Sequence, residues 1–316
     1  MRLATRTTPP LAALIALLFL TTPASAQDGG SVRLRLHLEP GMSFRESTTT
    51  VTDISQTLMG QEQQSSQSNE MVVFTEVLTV DEHGVARVRT TYESIRIVQD
   101  GPMGRTEYDS ADPESVAPQA LRPYALMIGE SFTMDFAPDG SIDGVEGMED
   151  LFPRMIEEMD LPAGAMRDEV EKTLEDQFGG EAVAGMMGKM KTGFPDEPVA
   201  VGESWTRSTQ VEKPMPLDVE MTWTLRERRG GVAYLDVTSV TIIDGTTELG
   251  SSVMEQHMSG EATGTVEIDE ATGLTLRSHT EDETSGTMTL SGGPMGDMVM
   301  PMTSRSVTTT ELLSRN

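Results

Sequence analysis

The residues in this chain best suited to chemistry are soft and uncharged. Met295, Met298, Met300 and Met302 put four thioethers within eight residues, and Met186, Met187 and Met190 form a second group. Thioethers are ligands for soft cations such as Cu(I), so the 295–302 run is the candidate metal site. The same side chains also fill irregular cores and line adaptable apolar surfaces. Histidine is scarce: His37, His83, His257 and His279 stand too far apart in sequence for any local ligand spacing. A hydrolase would have to assemble Ser, His and acidic side chains across strands, with His257 or His279 as its base. Gly129-Glu130-Ser131 and Gly202-Glu203-Ser204 look like half of a nucleophile elbow. That motif needs a second glycine two residues after the serine, where Thr133 and Thr206 stand. The aromatics that follow, Phe132 and Trp205, read as core anchors at strand entries. Asp139, Ser141, Asp143 and Gly144 resemble the start of a calcium loop, but Glu146 and Asp150 fall where an apolar residue and a glutamate belong. A hairpin turn is the better reading. No cofactor motif is present.

Composition narrows the classes further. The 51 acidic residues outnumber the 23 basic ones, for a net charge of −28, which repels nucleic acid and anionic membranes. Glycosidase chemistry needs aromatic sugar platforms beside two opposed carboxylates, and there are only 2 Trp, 4 Tyr and 8 Phe. Residues 1–26 read as a secretory signal. Arg2 and Arg6 precede the apolar run 11–20, and Ala24-Ser25-Ala26 offers a cleavage site before Gln27. No later stretch is apolar enough for a transmembrane anchor after cleavage. The expected location is exported, periplasmic or extracellular. With no cysteine in the chain, stability must come from core burial and not from disulfides.

These residues need elements to position them. Residues 202–243 read as three antiparallel strands, with Val219, Met221, Trp223 and Leu225 at a period of two and a turn at Arg229-Gly230-Gly231. A looser copy lies upstream: Gly41-Met42-Ser43-Phe44, strands over 73–80 and 85–97, and Gly84-Val85-Ala86 matching Gly231-Val232-Ala233. Residues 32–38 alternate as a first strand, 43–58 form a long Thr-rich one, and the Gln/Ser-rich 60–69 reads as a loop. Thr48 to Thr50 and Thr308 to Thr310 suit an exposed strand face. Between 148 and 191 the period becomes helical, placing Phe152, Met155 and Met159 on one stripe and Met187 on a later one. The C-terminal region divides into many short strands at Gly260 and Gly292. The expected fold is mainly β (α+β): a curved antiparallel sheet, or two similar sheet halves, with a central insertion of about three helices. The expected divisions are 1–26 (signal peptide), 27–146 (N-terminal β half), 147–193 (helical insertion) and 194–316 (C-terminal β half).

This linear plan resembles a family of exported bacterial proteins of unknown function. The features that carry the resemblance are Gly41-Met42-Ser43-Phe44, Gly129-Glu130-Ser131-Phe132 with Pro138-Asp139-Gly140, Phe194-Pro195 before Gly202-Glu203-Ser204-Trp205, and Gly260, Gly264, Ile268-Asp269 and Ala271-Thr272-Gly273. The resemblance implies no catalytic residue. At the level of fold alone, a curved sheet with inner helices looks like periplasmic lipoprotein carriers. The leading expectation is a non-enzymatic β-rich protein that takes an apolar ligand or a protein partner in a sheet–helix cleft formed by Phe152, Met155, Met159 and Met187. The alternatives are the strand-assembled hydrolase and the Met-rich copper-binding protein.

Overall fold

A computed structural model describes residues 30–58, 60–102, 104–147, 151, 154, 157, 164, 193–211, 216–249, 252–292 and 297–316. Twelve strands form one antiparallel sheet in the order β6-β5-β3-β2-β1-β12-β11-β10-β9-β8-β7, with β4 added beside β3. The first half comprises β1 (Ser43–Leu58), β2 (Gln61–Val80), β3 (Ala86–Gly101), β4 (Gly104–Asp109), β5 (Ser131–Phe136) and β6 (Ile142–Glu146). The second comprises β7 (Ser204–Val211), β8 (Leu217–Arg229), β9 (Val232–Leu249), β10 (Ser252–Asp269), β11 (Thr275–Ser291) and β12 (Met298–Arg315).

The expected α+β plan is overturned. The two halves are one sheet because β1 and β12 pair from Phe44↔Arg315 to Gln56↔Met302. Helix among the described residues comprises a 3-10 turn, Gln119–Leu121, the four-residue α1, Arg122–Ala125, and the three helical positions Leu151, Arg154 and Glu157. Among the described residues no central insertion of three helices appears; most of 147–193 lies outside them. Period 3.6 reports an amphipathic stripe, but it does not say what shields the sheet. Among the described residues, part of the shielding comes from other segments. Leu121, Ala125 and Ile128 cover Ile95, Ile97 and Tyr108. Residues 32–38, expected as a sheet strand, run instead across the apolar face with a single bridge, Val32↔Val199.

That segment makes the sheet curl. Leu34 and Leu38 alternate inward, and Leu36 packs on the clusters of both halves. The Leu36 N–H donates to Pro138 O at 2.8 Å, and the His37 N–H donates to Thr272 O at 2.8 Å. Pro138 lies in the β5–β6 turn and Thr272 in the β10–β11 turn, with β3, β2, β1 and β12 between these strands in the sheet. Two turns so far apart in the ladder meet on neighbouring residues only if the sheet bends around them. Arg228 fastens the start of the segment. Its guanidinium donates to Gly30 O at 2.6 Å and to both Glu270 oxygens at 2.7 and 2.8 Å.

The Gly-x-Ser-aromatic stretches recur as one device. Gly41, Gly129 and Gly202 have φ of 86°, 81° and 90°, a conformation glycine adopts without a Cβ penalty. Each glycine N–H donates to a carbonyl on the adjoining strand (Val77, Tyr92 and Leu225), whose own N–H returns a bond to the residue after the glycine. In each case the strand register shifts beside that partner, so each entry is seated on a β-bulge.

Three other boundaries differ from expectation. Gly260 lies inside β10 instead of ending a strand, and Gly286 likewise lies inside β11. The polar stretch 61–69 is the first part of β2, held by the ladder to β1. Thr48 and Thr50 do not simply face water. Their hydroxyls bond those of Thr310 and Thr308 at 3.2 Å along the inner face.

Candidate functional site

The inner face of β8, β9 and β10 supplies the wall of a cavity of about 480 Å³. Period two explains the wall. Val219, Met221 and Trp223 on β8 face Val237 and Leu235 on β9, with Ala262 and Val266 on β10 behind them. Leu235 is 1% exposed and Trp223 8% exposed, so the wall is also the core of this half. Trp223 stacks on Trp205 with ring centres 6.1 Å apart and planes 10° from parallel. The Trp205 indole N–H donates to Gly193 O. A Cβ at Gly193 would overlap the Trp223 ring, so this position needs glycine for want of space. Both tryptophans of the chain therefore belong to one site.

The polar groups of the lining are two charged side chains, Glu46 and Arg207, and a set of Ser and Thr hydroxyls. Arg207 lies at the rim, where it is already committed. It donates to Asp196 at 3.1 Å and to Phe194 O at 2.9 Å. Asp196 is held below the usual carboxylate range by that hydrogen bond and by the Arg207 charge. Across the cavity, Thr310, Ser278 and Thr280 contribute hydroxyls, and Glu46 on β1 contributes the sole carboxylate of the described lining. Glu46 is half-buried, and burial pushes its carboxyl above the ordinary value. No hydrogen bond or ion pair ties it to another described residue.

The expected cleft residues Phe152, Met155, Met159 and Met187 lie outside the described residues, as does Met295. Met298, Met300 and Met302 alternate along β12 on the inner face, with Met288 opposite Met300. Residues two apart on a strand are about 6.6 Å from each other, so these three thioethers share one face of β12. Among the described residues no group of three His, Asp or Glu could hold a metal. His257 and His279 occupy the opposite, outer face. His257 sits between Glu255 at 3.1 Å and Asp244 at 2.8 Å, and these hydrogen bonds raise its pKa. His279 contacts Thr309 and Glu281, and no described serine bonds either ring. The Asp139 loop is a hairpin turn whose carboxylate accepts from the Ser141 N–H and hydroxyl at 3.0 and 2.6 Å.

Sequence reasoning read Trp205 as a core anchor and Met221 and Trp223 as alternating strand positions but did not collect them into a site. The available signal was their alternation on neighbouring strands. Glu46 gave none, since an acidic residue in so acidic a chain looks like surface.

Fold and site together define an all-antiparallel sheet curled around a mainly apolar cavity. Residues 83–275, more than half of the chain, match the model of the Family of unknown function (DUF6263), and the chain belongs to that family. No curated protein matches it. Similar solved structures include Pseudomonas aeruginosa OpdQ, at 7% identity over 86% of this chain and 99% of that one, with a TM-score of 0.18. The translocator domain of the autotransporter NalP from Neisseria meningitidis is 10% identical over 87% and 89%, with a TM-score of 0.22. DynF from the dynemicin biosynthesis pathway of Micromonospora chersina is 9% identical over 93% and 92%, with a TM-score of 0.21. Likeness at this level assigns no function.

Proposed function

We propose that the chain is an exported, non-enzymatic protein that holds a small apolar ligand in the cavity between β8, β9, β10 and β1. The observation that carries this reading is the cavity itself. Its volume of about 480 Å³ falls in the ~300–1,000 Å³ range of small-molecule sites, its β8–β9 wall is mainly apolar, and its polar groups other than Glu46 and Arg207 are hydroxyls. The signal-like residues 1–26 support export. The outer face carries the exposed charges Glu261, Arg277, Glu281, Glu283 and Arg305 beside the exposed apolar Val240, Ile242, Val253 and Val299.

The test is a titration of the mature protein with an environment-sensitive apolar dye, paired with the variant Ala262→Phe, which fills the cavity. Saturable binding by the wild type that is at least tenfold weaker in the variant is the expected result. Absence of saturable binding, or equal binding by a folded variant, would sink the reading.

A further inference from the structure

We infer that the cavity selects lipophilic amines, with Glu46 receiving the ammonium end and the Trp223–Met221–Val237 wall receiving the hydrocarbon. This deepens the reading above and rests on it. Three observations converge. Glu46 is the sole carboxylate of the described lining, and no other described residue bonds it. A half-buried carboxylate without a partner is costly unless a cation or donor arrives to satisfy it. Its counterpart Arg207 is not free to compensate it, because that guanidinium is held by the Asp196 carboxylate at 3.0 Å and by Phe194 O. The charge of the whole chain, −28, draws cations toward the cavity and repels fatty acids and other anionic amphiphiles.

The hydroxyls of Thr310, Ser278 and Thr280 complete the arrangement. An ammonium has three N–H donors, one for the carboxylate and two for neutral oxygens. A carboxylate ligand would find those hydroxyls but also the repulsion of Glu46. An alcohol would gain the apolar wall without the charge-assisted bond.

Because the chain holds only Trp205 and Trp223, stacked on each other with Trp223 in the cavity wall, its tryptophan emission reports this site. Dodecylamine, dodecanol and dodecanoate are titrated below their aggregation limits into the full mature chain while tryptophan emission is followed. Dodecylamine is expected to bind about tenfold or more tighter than dodecanol, with dodecanoate weakest. Glu46→Gln is expected to bring dodecylamine to within about twofold of dodecanol measured on the same variant. Glu46→Asp, which keeps the charge, is expected to retain a preference for the amine. Equal binding of amine and alcohol to the wild type would overturn the amine selectivity and leave the apolar-ligand reading standing. So would an amine preference that survives Glu46→Gln, or tightest binding by dodecanoate. Failure of all three compounds to bind would remove both readings. Melting curves of the two variants establish that they are folded, so a loss of preference is read as loss of the pairing.

Discussion

At the scale of single residues, the informative feature is a carboxyl group whose position opposes stability. Burial raises the Glu46 pKa above its ordinary value. The folded state therefore holds a proton more tightly than the unfolded chain. The sign follows from linkage: relative stability is greatest below the unfolded pKa and declines as pH rises through the folded value. Glu46→Gln removes that decline. At pH 7 the variant is expected to unfold at a higher urea concentration than the wild type, and near pH 4 the two should nearly coincide. Urea midpoints measured across that range check this, and a variant less stable at pH 7 would contradict it. Loss of ligand selectivity together with a gain in stability is the pattern of a side chain kept for binding and not for folding.

At the scale of elements, the fold rests on three strand entries built alike. Gly41, Gly129 and Gly202 all have positive φ, and a Cβ added at any of them would meet nothing within 4 Å. Backbone strain is then isolated from packing. Replacement by alanine is expected to cost about 1–2 kcal/mol at each site. Asparagine, which tolerates this conformation, should cost less. Denaturant unfolding of the six variants checks the order, and alanine proving cheaper than asparagine would mean the glycines serve some other need. These entries were legible in the sequence because a turn glycine, a strand-starting serine and an inward aromatic are local signals. So were the alternation of Val219, Met221 and Trp223 and the hairpins around Gly84 and Gly231. What local signals cannot carry is partnership. Nothing in residues 32–38 distinguishes a ladder strand from a segment laid across the sheet, since both alternate. Gly260 and Gly286 look like breaks, yet a Cβ at Gly260 would strike Thr284 and one at Gly286 would strike Met258. The Thr284 side chain lies over Gly260, and the backbone of His257 and Met258 lies against Gly286. Nor does any window reveal that β1 closes onto β12, a pairing between Phe44 and Arg315 across almost the whole chain.

At the scale of the whole molecule, charge is the dominant uncompensated quantity. Much of the described arginine is already paired: Arg45 with Glu93 at 2.8 Å, Arg96 with Glu107 at 2.8 Å, Arg277 with Glu311 at 3.0 Å and Arg305 with Glu281 at 3.0 Å. With 51 acids against 23 bases, the surplus carboxylates remain after every such pair is made. Exposed pairs contribute little each, so their screening by salt removes little stability. Repulsion among the surplus acts over longer distances, and screening it stabilises the compact state. The Debye length falls from about 30 Å at 0.01 M to about 8 Å at 0.15 M ionic strength. The two effects oppose, and at this charge the repulsive one should win. Raising NaCl across that range is expected to increase Tm by roughly 2–6 °C, corresponding to about 1–2 kcal/mol. The same salt should weaken dodecylamine binding while leaving dodecanol binding almost unchanged, because only the amine is drawn by the field. Calorimetric scans and fluorescence titrations at the two salt levels measure both. A Tm that falls with salt would assign the net stabilising role to the arginine pairs, and an amine affinity indifferent to salt would confine the selectivity to contact with Glu46.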